Sequence, residues 1–149
     1  MTELELVDEL RMFISDDIPS KNILNNQEQE FSDTKLKFFL RRALGDINDH
    51  PPLTSYTIEE APDDLLLSGA ALYAMIAEGI LQARNQLDYN DAGFSISMFN
   101  KTGVYQGWAG FLLQTYTQGL NDFKRTVISS SPDAGFYGIR SPFSQDWGW

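Results

Sequence analysis

Residues 63–88, reading DDLLLSGAALYAMIAEGILQARNQLD, constrain the fold more than any other stretch. Over about seven turns at 3.6 residues per turn, the apolar residues leave almost no polar face. The stretch is therefore expected to be a central helix enclosed by other elements. Pro62 stands where a helix tolerates a missing N–H, and Asp63 and Asp64 set negative charge against the positive end of the helix dipole. Gly69, Ala70, Ala71, Ala74, Ala77, Gly79 and Ala83 interrupt the larger Leu65, Leu72, Tyr73, Met75, Ile76 and Ile80. Each internal glycine costs ~1 kcal/mol against alanine, a cost that close approach of a neighbouring backbone offsets. A run of about 20 apolar residues also suffices to cross a bilayer. Glu78 and Arg84 break this one, and other segments carry complementary apolar stripes, so a buried helix with no membrane contact is the expectation. With no charged-then-apolar leader in view, the chain reads as soluble and unprocessed.

The remaining composition narrows the chemistry. A chain of 149 residues that is 42% hydrophobic and 13% aromatic can build a single core. The absence of cysteine removes disulfides, thiolate nucleophiles and cysteine metal sites. Twenty-one acidic against eleven basic residues give a net charge of −10. Such a surface repels nucleic acid, whose partners gain affinity by neutralising phosphates.

Thr2 and Glu5 have the spacing of a capping box and open the first helix, whose inner face carries Leu6, Leu10, Phe13 and Ile14 beside Val7, with Arg11 among the outward residues. This helix is expected to stop by Asp16 or Asp17. A polar connector follows, with Ile23, Leu24 and Phe31 as anchors. The second helix opens at Ser32 or Asp33, with Phe31 as a hydrophobic staple, and buries Leu36, Phe39, Leu40, Ala43, Leu44 and Ile47. Its opposite side groups Lys35, Lys37, Arg41 and Arg42. Two readings stand for these four: a solvated face, or a subunit interface for an acidic surface such as helix one of an adjacent copy. His50 before two prolines ends the helix and reads as structural, and residues 53–58 suit a short strand or extended lead-in.

Beyond the central helix, Asp88, Asn90 and Gly93 imitate the start of a calcium loop, but Ala92 and Phe99 occupy positions that must supply ligands, and no metal is expected. Residues 94–98 alternate like a strand, which predicts a short β-like lip between the last two helices. The fourth helix is expected at about 105–128, with Trp108, Phe111, Leu112, Thr115, Gly119, Leu120, Phe123 and Val127 along one side as core, and Lys124 and Arg125 complementing its dipole. The last segment changes character. Residues 129–149 are rich in Ser, Gly and Pro yet carry Phe136, Tyr137, Phe143, Trp147 and Trp149, the residue types that dominate interface energies. An extended interaction arm docking into another subunit is the natural reading. The expected architecture is all-α: a four-helix bundle, with residues 1–128 as the body and 129–149 as the C-terminal arm.

The order of elements, the opening at Phe31-Ser-Asp-Thr, the run from Leu40 to Ile47, the Ala-rich third helix, the lip beginning at Gly93 and the tail resemble the head-to-tail connector adaptors of tailed bacteriophages. The resemblance implies a non-enzymatic structural protein of the virion neck, made in the host cytoplasm and assembled as a ring, commonly of twelve copies, beneath the portal. It also implies a C-terminal arm reaching the portal protein through Phe136, Tyr137, Phe143, Trp147 and Trp149, a tail or stopper protein on the other side, and DNA passing through without specific binding. No cofactor is implied. The contrasting expectation is a small acidic helical enzyme or regulator using Glu78, Asp88 and Asp91.

Overall fold

The computed structural model describes residues 1–21, 27–84, 88–91, 94–97 and 102–130. These are all-helical in their core, with four α-helices in the order α1 (Glu3–Phe13), α2 (Asp33–Asp49), α3 (Asp63–Arg84) and α4 (Thr102–Ser130). A single 3-10 turn, Pro19–Lys21, follows α1, and two four-residue strands lie between α3 and α4. Strands β1 (Asp88–Asp91) and β2 (Phe94–Ser97) pair antiparallel, Asp88 opposite Ser97 and Asp91 opposite Phe94. Gly93, Ile23, Leu24 and the aromatic arm residues lie outside the described residues.

The helix starts follow their local chemistry. Thr2 accepts from the Glu5 N–H at 3.3 Å, while the Glu5 carboxylate accepts from the Thr2 N–H at 2.8 Å. That reciprocal pair satisfies two donors that no carbonyl in the helix can reach. Accepting from the Thr2 backbone N–H holds the Glu5 carboxyl below its ordinary pKa. Ser32 is the N-cap of α2, its Oγ accepting from the Lys35 N–H. Phe31 before it is buried and meets Phe39 edge-on with ring centroids 5.8 Å apart.

The core gathers Leu6, Val7 and Leu10 of α1, Leu36, Phe39, Leu40, Ala43 and Ile47 of α2, and Leu65, Leu66, Ala70, Ala71, Leu72 and Ala74 of α3. From α4 it takes Tyr116 and Leu120. Helix α3 packs on all three other helices. It is long and apolar enough over Asp63–Leu81 to cross a membrane, a test that a core helix passes equally. Its burial nevertheless ends early. Beyond Ala74 the expected enclosure gives way, and Ile76 and Ile80 are 40% and 56% exposed. The small residue Gly79 admits α4 along one side of this half, through Tyr105, and leaves the two isoleucines facing outward.

Of the two readings for residues 53–58, strand or extended lead-in, the strand does not form, and the outward placing of Arg11 is corrected. Instead, the side chain of Asn48 takes the place of a strand partner: its amide oxygen accepts from the Tyr56 N–H at 2.9 Å and its amide nitrogen donates to the Tyr56 carbonyl at 3.0 Å. Arg11 faces inward. It is 6% exposed and bonds Asp16 at 2.9 Å, while its second nitrogen reaches Asp33.

Gly69 is the tightest point among the packed helices. A Cβ there would lie 2.8 Å from the Ala43 Cβ and 2.8 Å from the Tyr116 ring, whereas among the described residues nothing stands within 4 Å at Gly45. Overpacking costs ~1 to 3 kcal/mol, and a glycine-to-alanine change in open helix gains ~1 kcal/mol. In urea titrations, Gly69→Ala is therefore expected to lower the unfolding midpoint and Gly45→Ala to raise it.

Candidate interaction surface

The rotation of α4 decides which of its aromatics are available. Tyr105, Ala109, Leu112, Tyr116, Leu120 and Phe123 recur every three or four residues and turn toward the body. Trp108 and Phe111, expected in the core, are 58% and 60% exposed, and Thr115 is exposed as well. Two apolar phases compete on this helix, and Tyr116 settles the choice. Its ring sits over Gly69 and its hydroxyl donates to the Ala43 carbonyl at 3.3 Å.

Lys124 reinforces the same rotation from the other end. Expected near the helix terminus as a complement to the dipole, it is instead 2% exposed, since α4 continues to Ser130. Its Nζ donates to the Pro52 carbonyl and to Thr54 Oγ1, both at 2.8 Å. Burial pushes its pKa down. His50 adds an exposed link from the end of α2 to α4, its Nε2 lying 2.9 Å from Asn121 Oδ1.

With α4 so placed, an apolar groove of about 640 Å³ opens where the end of α1 meets α3 and the first turns of α4. Phe13, Ile14, Ala71, Met75, Val104, Tyr105, Trp108, Phe111 and Leu112 line it. Trp108 and Phe111 meet edge to face, with centroids 6.4 Å apart and planes at 87°. A smaller depression of about 260 Å³ shares Met75 and Tyr105 and extends over Ile76, Gly79 and Ile80. Exposed apolar surface of this extent marks interaction sites on soluble domains.

The wall of the groove formed by α1 depends on a buried ion pair. Helix α1 ends at Phe13, Ile14 caps it, and Ser15 turns the chain with φ of 59°. That turn places Asp16 under Arg11. The Asp16 carboxylate also accepts from the backbone N–H groups of Glu30 at 2.7 Å and Phe31 at 3.2 Å, which fastens the far end of the connector to α1.

The basic residues of α2 have partners inside the chain. Arg41 lies 3.1 Å and Lys37 3.9 Å from the Glu3 carboxylate, so the acidic helix they meet is α1 of the same chain. Lys35 stands over the Phe31 ring at 4.7 Å, and Arg42 over the Tyr73 ring at 5.8 Å. Tyr73 donates to Asp46 at 2.5 Å. Burial first, and then that bond, raise the phenol's pKa, while the hydrogen bond with Tyr73 raises that of Arg42. Phe136, Tyr137, Phe143, Trp147 and Trp149 of the expected arm, with the side chains of Asp88 and Asp91, lie outside the described residues. Among the described residues no group of three or more His, Asp or Glu is placed to hold a metal ion.

Comparison with protein-family models, curated proteins and solved structures finds no match. The surface is therefore interpreted from its own chemistry. Sequence periodicity alone missed Arg11, Asp16, Tyr116, Lys124 and Asn48. Tyr116 had a legible signal, standing four residues from both Leu112 and Leu120. For a buried lysine or arginine no such signal exists.

Two outcomes are expected. Asp16→Ala leaves one Arg11 nitrogen and two backbone donors without their acceptor, while Asp33 still pairs the other nitrogen, so the loss falls toward the lower end of the ~3 to 5 kcal/mol for breaking a buried pair. The exposed pair lost in Arg41→Ala contributes ~1 kcal/mol or less, and urea unfolding separates the two cases. The second concerns alkaline pH. Burial pushes the Tyr116 phenol well above its usual value of 10.0. Because the folded-state pKa is raised, the stabilisation is fully present below pH 10 and is lost as pH rises above it. Tyr116→Phe should therefore flatten the fall in thermal midpoint above pH 10.

Proposed function

We propose that this chain is a structural adaptor of the tailed-phage neck, assembling as a ring between the portal and the tail or stopper protein and surrounding the DNA passage. The observation that supports this reading best is the apolar groove with its exposed Trp108 and Phe111 on an otherwise acidic helical body. Such a surface suits contact with protein. In this reading the four helices form the bundle of the body, the β1–β2 ribbon is the lip, and residues 129–149 form the arm. A net charge of −10 suits a passage through which DNA slides without sticking.

The arm carries the portal contact, through Phe136, Tyr137, Phe143, Trp147 and Trp149. Aromatic anchors at interface centres are worth ~2 kcal/mol or more each. They act together against an ordering cost on the order of 2 to 5 kcal/mol. Lys35, Lys37, Arg41 and Arg42 add a positive edge between subunits, with Glu3 partly neutralising it within each copy.

The test is binding to isolated portal rings by the full chain and by a chain lacking residues 132–149. The full chain is expected to bind. The truncated one should keep its helical circular dichroism and lose binding at least a hundredfold. Equal affinity of the two would remove the arm, and with it the adaptor reading.

A further inference from the structure

The exposed half of α4 has a property that the groove alone does not account for. From Thr102 to Asn121 the helix carries no Asp, Glu, Lys, Arg or His, in a chain of which 21% is charged. One side of that stretch packs on the body, and the other is not sheltered. Val104, Trp108 and Phe111 are each about 60% exposed, and at Gly103, Gly107 and Gly110 nothing among the described residues lies within 4 Å of where a Cβ would stand. Glycine is the poorest helix former after proline. Three of them in the first three turns of a 29-residue helix weaken it, and no contact within the described chain uses the room they leave. A second backbone lying along α4 would use it.

We infer that the first five turns of α4, together with Phe13 of α1, dock a second copy of this chain. Three candidate occupants meet different chemistry. Nucleic acid requires Lys or Arg to neutralise phosphates, and this stretch has neither. Helices that lie in a membrane surface carry Lys and Arg on the polar face, also missing here. A like copy brings the same uncharged strip, so the −10 on each chain stays away from the contact and the approach is not opposed locally. Area agrees with this choice. Covering the exposed parts of Phe13, Val104, Trp108 and Phe111 removes on the order of 500 Å² of apolar surface from one copy, the larger part of the ~800 Å² per partner of a stable interface. The inference rests on the ring reading only for the number of copies. It moves the main contact between copies from the basic face of α2 to α4.

The measurement is the mass of the full chain in solution, by native mass spectrometry and light scattering over a range of concentrations. The parent should run as a multiple of its 16.9 kDa. Trp108→Glu combined with Phe111→Glu, which places two carboxylates on the strip, should raise the association midpoint at least a hundredfold. Gly107→Leu should raise it at least tenfold. Both are expected to keep the far-ultraviolet circular dichroism of the parent, because neither site touches the core. Gly107→Leu should also hold or raise the thermal midpoint of the monomer, a pairing of effects that a purely structural role for the glycine would not produce. A dimer dissolved by these variants supports the inference and overturns the ring reading. A ring that keeps its mass in both variants supports the ring and overturns the inference. A monomeric parent overturns it too. Radical footprinting of that monomer would show whether Trp108 and Phe111 become reactive only on removal of residues 131–149, which would make the chain's own terminal segment the occupant.

Discussion

The contact of Gly69 with Ala43 and Tyr116 governs the rest of the molecule. Three helices meet there at a distance that only a residue without a side chain allows, and the Tyr116 ring fills the space. Filling it fixes how far α4 is rotated about its axis. Since α4 has apolar residues on more than one face, that rotation decides whether Trp108 and Phe111 become core or surface. The interaction surface is thus a by-product of packing about one to two turns away. Its character does not come from the loops around it.

A second layer of control comes from polar groups placed inside. Asp16 gathers Arg11 and two backbone donors at the junction of α1 and α2, Asn48 stands in for a strand beside Tyr56, and Lys124 ties residues 52–54 to α4. Each replaces the secondary structure that a connecting segment lacks. Buried backbone groups must find partners, and here long side chains reach out from the helices to supply them. These bonds add to the apolar anchoring of the connectors by Phe31, Tyr56, Ile58 and Ala61. That accounts for a polar sequence such as residues 27–30 remaining attached to the body.

The sequence revealed the helices because their signals are local. Thr2 with Glu5, Ser32 after Phe31, and Pro62 before Asp63 each announce a helix start through bonds made within one turn. The apolar spacing of α2 found its buried face for the same reason. What it could not show was rotation among neighbours. Helix α4 carries two overlapping apolar phases, and the choice between them depends on a glycine 47 residues away in α3. Similarly, α3 looks apolar all round, and only the packing reveals that its cover ends at Ala74. Arg11 and Lys124 carry charges that belong at the surface on every hydropathy argument. Their burial follows from acceptors contributed by Asp16, Pro52 and Thr54, which are distant in the chain or beyond a helix end.

The enclosure of Lys124 has a practical side. Amine reagents attack only a neutral, accessible amine, and this one is shut beneath the segment from Pro52 to Thr54 with two of its donor positions in use. Exposed lysines such as Lys35 should label at once. Lys124 can label only when the segment after α2 lifts from α4, so its reaction rate becomes a clock for that opening. The protein thereby carries, at a single native residue, a chemical reporter of the motion that would have to precede any rearrangement of α4.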